Sequence, residues 1–246
     1  MKTKAPLLAM LLCLLAGYSA QVSALEFWPT ETEWATWPEY CRVRYTVSGA
    51  GIESKFTSRI SPAEVKAWEA RMGALAWNPL HHYCAGIVLI QRARALQGDK
   101  TRHDYTLNNA IGEFEYTLAR MPREEPFHSQ ASMQMAIAYQ NLGEFDTAMQ
   151  FFDEAIEDHP ENAESYAAKA LAYKEKGKLE EARATLEQGN KAVDGTSSLI
   201  HYFLGLVLVD LHKYDEAREH ARQAYALGYP LPGLRDKLAS NGFPLE

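Results

Sequence analysis

The feature that most constrains the fold of this chain is a repeat of 34 residues in its second half. Four residue types recur after 34 positions, as Ala136 and Ala170, Tyr139 and Tyr173, Gly143 and Gly177, and Ala148 and Ala182. A third copy follows one residue late. A fixed period of this size is typical of stacked units that cannot bury an apolar face alone. The sequence therefore predicts a stack of repeats with one continuous core.

The residue types predict that each unit is a helical hairpin. Small residues occupy the first helix of each copy and also the second, at Ala136, Ala170 and Gly205 and at Ala148, Ala182 and Ala217. Small side chains let two helices approach to roughly 8 to 10 Å. Glycine in the turns at 141–145 and 175–179 supplies the positive φ that ends a helix. His212 replaces this glycine in the turn at 211–214, where we expect a different turn or a strained one.

This pattern resembles the tetratricopeptide repeat (TPR) family, which places small residues, an aromatic residue, an alanine and a closing proline at fixed positions. Residues 129–162 match best, with Ala136, Tyr139, Gly143, Ala148, Phe152, Ala155 and Pro160. Residues 163–196 have Gly189 and Asp194 in place of the late alanine and the proline, and residues 198–231 keep Leu204, Gly205, Ala217 and Ala224. The resemblance implies an all-α, right-handed solenoid of helix-turn-helix repeats.

A divergent TPR-like helix pair is predicted at residues 78–124. Gly86 and Leu89 fit a first helix, and Ala110, Phe114 and Pro122 fit a second. The two halves lie 12 residues too far apart, so residues 96–104 would form a longer turn or an extra helical turn. The alternative is an ordinary helix pair that only resembles a repeat.

The repeats are expected to be closed at both ends by cap segments. All five tryptophans lie within residues 25–77, at Trp28, Trp34, Trp37, Trp68 and Trp77. Ser61, Pro62 and Glu64 form a helix-start pattern that predicts a helix from residue 62 to about residue 75. We interpret residues 25–77 as a helical cap and residues 232–246 as a C-terminal cap helix, for nine to eleven helices in all and little or no sheet.

The first 24 residues resemble a secretory signal peptide. Lys2 and Lys4 precede an apolar run at 7–16, and small residues at 22–24 form a cleavage site after Ala24. The apolar run is shorter than the about 20 residues that a membrane span needs. Lipidation at Cys13 is the alternative, although Leu12 is a poor residue to precede it. We therefore expect a periplasmic protein with no membrane span after signal cleavage.

Charge argues against nucleic acid as a partner. Removal of residues 1–24 takes away two lysines and lowers the formal charge from -7 to about -9. Phosphate binding needs a basic stripe, and no predicted helix carries a cluster of Lys and Arg. The expected partner is a protein.

Two cysteines, Cys41 and Cys84, remain after cleavage. In an oxidising compartment they would most simply form one disulfide, and the alternatives are two buried thiols or a redox pair. The bond would close a loop of about 43 residues and stabilise the fold by about 3 to 4 kcal/mol in the chain-entropy model.

The residues with metal-ligand chemistry do not form a site by pattern. His81, His82 and Cys84 are too close in sequence to converge on one ion from a helix. No phosphate loop, serine elbow or zinc signature appears. We predict no metal, no cofactor and no catalytic residues.

The TPR resemblance implies a concave groove lined by the first helices. Its positions carry over to Met133, Ile137, Gln140 and Asn141, to Ala167, Leu171, Lys174 and Glu175, to Tyr202, Leu206, Val209 and Asp210, and in the divergent pair to Tyr83, Ile87 and Gln91. Only Asn141 and Lys174 suit a carboxylate clamp, so the mixed apolar and amide lining favours an amphipathic helix or an extended peptide. The resemblance thus implies a periplasmic scaffold that binds a partner and supports assembly of an envelope complex in pilus assembly, polysaccharide export or outer-membrane biogenesis. The alternative is a small-ligand or cofactor-binding protein with a site near Trp77, His81, His82 and Tyr83.

Overall fold

The computed structural model describes residues 28–245, so the predicted signal segment at 1–24 lies outside the described residues. These residues form twelve α-helices and one short 3-10 helix, Thr57–Arg59, without a strand. The helices are α1 (Glu31–Thr36), α2 (Glu39–Thr46), α3 (Pro62–Trp77), α4 (Leu80–Arg94), α5 (Lys100–Leu118), α6 (Pro126–Leu142), α7 (Phe145–Asp158), α8 (Ala163–Glu175), α9 (Leu179–Ala192), α10 (Ser198–Asp210), α11 (Tyr214–Ala226) and α12 (Gly233–Ser240). The count exceeds the predicted nine to eleven, because α1 and α2 are short helices that no sequence pattern had indicated.

Helix pairs form the body of the molecule, as the 34-residue period predicted. α6 packs on α7, α8 on α9 and α10 on α11, and each first helix also contacts the next. Ala136, Ala148 and Phe152 are fully buried between α6 and α7. The predicted all-α solenoid of helix-turn-helix units is therefore confirmed.

The third turn keeps the geometry of the first two. Gly143 and Gly177 have φ of 86° and 72°, and His212 takes φ of 59° in the same slot. In all three turns the residue after this slot donates its N–H to a carbonyl five residues earlier, at 2.8 to 2.9 Å. The third repeat therefore forms the ordinary turn with a strained histidine, which was one of the two predicted outcomes.

Gly189, a departure from the family pattern, has a packing reason. A Cβ added there would lie 2.6 Å from the ring of Tyr166. In the first repeat the equivalent residues are Ser132, which is smaller than Tyr166, and Ala155, which is larger than Gly189. The glycine in the second repeat therefore makes room for a tyrosine in the facing helix.

The divergent helix pair at the start of the stack consists of α4 and α5. Gly86 lies directly against the ring of Phe114, and an added Cβ would come within 2.5 Å of it. The surplus residues mostly lengthen α5, which has 19 residues against 14 in α7. The insertion thus lies at the edge of the pair and leaves its close contact intact.

The cap consists of α1, α2 and α3, and its tryptophans mostly fill a core. Trp34 stacks on Phe56 with ring centroids 4.3 Å apart, and Trp37 donates its indole N–H to the carbonyl oxygen of Cys84 at 3.2 Å. Trp77 is also buried. The Ser61 and Glu64 capping box is present at the start of α3, and Gly73, with φ of 73° and ψ of 157°, interrupts that helix near its predicted end.

A disulfide joins the cap to the repeats, between Cys41 of α2 and Cys84 of α4. The Cα atoms are 5.5 Å apart, and both residues are fully buried. Nearby, Arg44 donates to the carbonyl oxygen of Trp77 at 2.8 Å. Glu33 of α1 pairs with Arg92 of α4 at 2.6 Å. The predicted pairing is confirmed. The disulfide and the ion pair of Glu33 with Arg92 both hold the cap to α4.

At the other end, α12 packs as the first helix of a further repeat would. Leu234 and Leu238 are fully buried, and Leu234 contacts Gly205 of α10 so closely that an added Cβ would lie 2.5 Å away. Within residues 28–245, no helix combines the length and the apolar character that crossing a bilayer requires.

Candidate functional site

The predicted groove residues lie on the first helices α4, α6, α8 and α10. Five of them are buried (Tyr83, Met133, Ala167, Tyr202 and Val209). Seven are half-buried (Ile87, Ile137, Gln140, Leu171, Lys174, Leu206 and Asp210), and three are exposed (Gln91, Asn141 and Glu175). A buried side chain offers no surface to a partner, so the accessible part of the predicted groove is narrower than the sequence indicated.

An apolar stripe runs across the three well-formed repeats. It consists of Ile137 on α6, Leu171 on α8 and Leu206 on α10, which occupy equivalent positions of successive first helices. All three are half-buried, so each leaves part of its side chain open to solvent. Equivalent positions on neighbouring helices therefore each present a partly accessible apolar side chain.

A polar ladder follows the stripe near the C-terminal ends of the same helices. Gln140 donates to a carboxylate oxygen of Glu175 at 2.6 Å. Asp210 pairs with Lys174 at 3.2 Å and also with Lys237 of α12. Each contact joins one first helix to the next, so the ladder holds the stripe in register.

Polar groups that could have bound a partner are instead paired with one another within the protein. Burial alone would raise the pKa of Asp210, but hydrogen bonds from the two lysines outweigh this effect and lower it. Asn141 donates to the carbonyl oxygen of Ile137 in its own helix at 2.6 Å. Both residues of carboxylate-clamp type, Lys174 and Asn141, are therefore engaged inside the protein.

At the upstream end, the cap reaches the groove through an aromatic row made of Trp68, Tyr40, Phe127 and Tyr83. Tyr40 meets Trp68 edge-on with ring centroids 6.1 Å apart and Phe127 at 5.2 Å, and Phe127 meets Tyr83 at 5.6 Å. The hydroxyl of Tyr83 donates to the amide oxygen of Gln130 at 3.3 Å. A residue of α2 therefore lies among the predicted groove residues of the first repeats.

A depression of about 320 Å³ lies beside this row, between the starts of α6 and α8. Its lining includes Gln130, Glu161 and Glu164. Burial raises the pKa of Tyr83, and Tyr40 and then the nearby carboxylate of Glu164 raise it further. Burial also raises the pKa of Tyr40; a hydrogen bond with Tyr83 opposes this shift, and Glu164 adds to it. The Glu164 carboxylate thus acts electrostatically on both hydroxyls.

Sequence reasoning missed Tyr40, Phe127 and Glu164 as groove residues. Tyr40 precedes Cys41, and the predicted disulfide to Cys84 would have placed it beside Tyr83. The predicted disulfide therefore contained this information, but it was interpreted only as a covalent link between the cap and the repeats. Phe127 and Glu164 carried no signal of their own, because the side chains that surround them come from other repeats.

The alternative site near the cap has its polar groups engaged within the fold. His82 contacts Glu113 through Nδ1 at 2.6 Å and stacks on Tyr116 with ring centroids 3.6 Å apart. Burial, with the charge of Arg44, lowers the pKa of His81 to about 3. Across the described residues, no three or more His, Cys, Asp or Glu side chains are grouped so that they could hold a metal ion.

These helix pairs and their shared stripe define a helical-repeat protein. Residues 142–207, from the first turn to α10, match the sequence model of the tetratricopeptide repeat family. These residues therefore match the family that the residue pattern indicated. A search of curated protein sequences found no match.

Several solved structures are similar to this chain at low identity. A double mutant of MamA from strain RS-1 is 21% identical, over 78% of this chain and 96% of that one, with a TM-score of 0.45. A thermophilic TPR protein of Thermus thermophilus is 20% identical, over 69% and 95%, with a TM-score of 0.46. A fragment of MamA from Desulfovibrio magneticus RS-1 is 19% identical, over 78% and 96%, with a TM-score of 0.42.

Proposed function

We propose that this chain is a non-enzymatic periplasmic adaptor that binds a segment of a partner protein along the apolar stripe and supports assembly of an envelope complex. The observation that carries the proposal is the alignment of Ile137, Leu171 and Leu206, all partly open to solvent, on three adjacent helices. TPR proteins use the first helices of their repeats in this way, as the family resemblance implies. The candidate complexes are those of pilus assembly, polysaccharide export and outer-membrane biogenesis.

The dimensions of the stripe set the size of the partner segment. Adjacent packed helices lie about 8 to 10 Å apart, so three of them span about 20 Å from first to last. An extended peptide rises about 3.3 Å per residue, so about six residues cover that distance. Alternatively, an amphipathic helix would place one apolar residue per turn, about 5.4 Å apart, along the same strip.

The periplasmic location rests on two features of different kinds. Residues 1–24 have the composition of a secretory signal peptide. The disulfide between Cys41 and Cys84 is of the kind that persists in oxidising compartments. Both features support export, and cell fractionation with an antibody against the native protein tests it directly.

The binding proposal is tested with the substitution Leu171→Glu, which places a charge at the centre of the stripe. A matched control is Leu227→Glu, a change of the same kind at a side chain that is 47% exposed after α11. After crosslinking in native cell envelopes, wild type and the control are expected to recover the same partner, and Leu171→Glu is expected to lose it. Tyr202 is a poor target because it is buried, and a charge there would unfold the third repeat.

Equal recovery by Leu171→Glu and by wild type would place the interface elsewhere. Circular dichroism of both variants serves as the folding check, since a half-buried leucine on a helix surface should tolerate glutamate without loss of helix. The small-ligand alternative has less support, because Trp77 and Tyr83 are buried and His82 is engaged by Glu113.

A further inference from the structure

The upstream end of the predicted groove carries an exposed carboxylate, that of Glu164. Within residues 28–245, Glu164 forms no ion pair, whereas Asp210 downstream is held by two lysines. Glu161, also in the depression, contacts the imidazole of His159 at 3.1 Å. Within the described residues, two carboxylates without a lysine or arginine partner therefore lie together in the depression where α8 begins, whereas Glu175 at the far end of α8 accepts a hydrogen bond from Gln140.

The aromatic row lies next to this charge. Tyr40 and Phe127 are half-buried, so both rings keep part of their surface open to solvent. Pro126 and Gln130, which flank Phe127 on the first turns of α6, line the same depression as Glu164. A cation placed here would be attracted by two interactions, one with the quadrupole of an aromatic ring and one with the negative charge of the carboxylate.

We propose that this upstream end is a subsite for a lysine or arginine side chain of the partner segment, bounded by Tyr40 and Phe127 and paired with Glu164. The subsite rests on the proposed function, since it binds one end of the same segment that covers the apolar stripe. It is built jointly by the cap and the repeats, because Tyr40 belongs to α2 and Glu164 to α8. The partner segment would then carry one basic residue upstream and apolar residues along Ile137, Leu171 and Leu206.

The charge of the protein fits such a partner. The chain carries a formal charge of -7, so a basic segment gains from attraction at long range as well as at the subsite. The long aliphatic stems of lysine and arginine would pack on the exposed ring edges while the charged ends reach the carboxylate. An acidic segment would be repelled from the same place.

The test uses a resin-bound library of random nonapeptides, incubated with the full mature chain. Wild type is expected to enrich lysine or arginine about fivefold at one position of the bound peptides, as a partly exposed ion pair would. Glu164→Gln should reduce that enrichment below about twofold while peptides still bind. Glu164→Lys should reverse it, so that aspartate or glutamate is enriched at the same position.

The matched control is Glu157→Gln, which removes one carboxylate from an exposed position on α7, outside the groove. It should enrich basic residues as strongly as wild type. If Leu171→Glu abolishes peptide binding but wild type shows no basic preference, or if the preference survives Glu164→Gln, the subsite is wrong and the groove function stands. If wild type retains no peptide at all, both the groove function and the subsite are wrong.

Discussion

Removal of the disulfide between Cys41 and Cys84 should loosen the cap and leave the repeats folded. The bond spans 43 residues of sequence, from α2 to α4. For a loop of that length, the chain-entropy model predicts about 4 kcal/mol of stabilisation, because the cross-link restricts the unfolded chain. The remaining polar contacts between the cap and α4 include the ion pair of Arg92 with Glu33 and the hydrogen bond from the Trp37 indole to the carbonyl oxygen of Cys84, and each hydrogen bond contributes only about 1 kcal/mol.

Two optical signals can separate the cap from the repeats. All five tryptophans lie at or before residue 77, so tryptophan fluorescence reports on the cap. Circular dichroism reports mainly on α4 to α12, which contain most of the helical residues. In urea, the double variant Cys41→Ala/Cys84→Ala should lose about 4 kcal/mol of unfolding free energy by fluorescence, with a smaller shift by circular dichroism.

The alanine variant also removes two buried sulfurs, so reduced wild-type protein serves as the matched control. Unfolding in urea with excess dithiothreitol cuts the bond and keeps both side chains, and it should reproduce most of the loss. A loss of no more than about 0.5 kcal/mol by fluorescence, the size expected for a neutral surface change, would refute the reasoning. So would equal shifts of the two signals, which would mean that cap and repeats unfold together.

Three further predictions concern single positions. His212→Gly should raise the unfolding free energy in urea by about 1 kcal/mol, because His212 holds a positive φ of 59°, whereas Gly143→Ala should lower it by a similar amount. Gly189→Ala should lower the unfolding free energy by about 1 to 3 kcal/mol through overpacking, which thermal unfolding would show as a lower midpoint. The loss should be smaller in a Tyr166→Ser background if the contact with Tyr166 is its cause. The pKa of His81 is lowered from 6.5 to about 3, so the folded state favours neutral imidazole and stability should fall as the pH drops below 6.5. At about pH 5 the loss should be about 1 to 2 kcal/mol, after allowance for partial exposure, and His81→Gln should flatten the pH dependence measured by urea unfolding.

Local rules were enough for the turns and helix starts. The capping box of Ser61 and Glu64 and the helix ends at Gly143 and Gly177 follow from contacts within a few residues, which the sequence shows directly. The choice at His212 could not be made in advance. Its backbone strain is accepted because the packing of α10 on α11 requires the same turn as in the other repeats.

Exposure of the groove residues was harder to predict than their positions. Tyr83 and Tyr202 occupy family groove positions, yet both are buried. Phe127 covers Tyr83, and Tyr229 stacks on Tyr202 with ring centroids 4.0 Å apart. The covering residues come from neighbouring helices, and a pattern within one repeat carries no information about them.

The 34-residue period by itself determined the helical hairpins, their stacking and which helix comes first in each pair, because each depends on spacings that recur along the chain. The pairing of Cys41 with Cys84 also followed from the sequence, since only two cysteines remain after the predicted cleavage. Only the tertiary structure decided that Tyr40 packs against Phe127, that Lys174 is engaged by Asp210, and that Glu164 has no cationic partner in the described chain. Such contacts join segments far apart in sequence, and their geometry depends on how all the intervening helices pack.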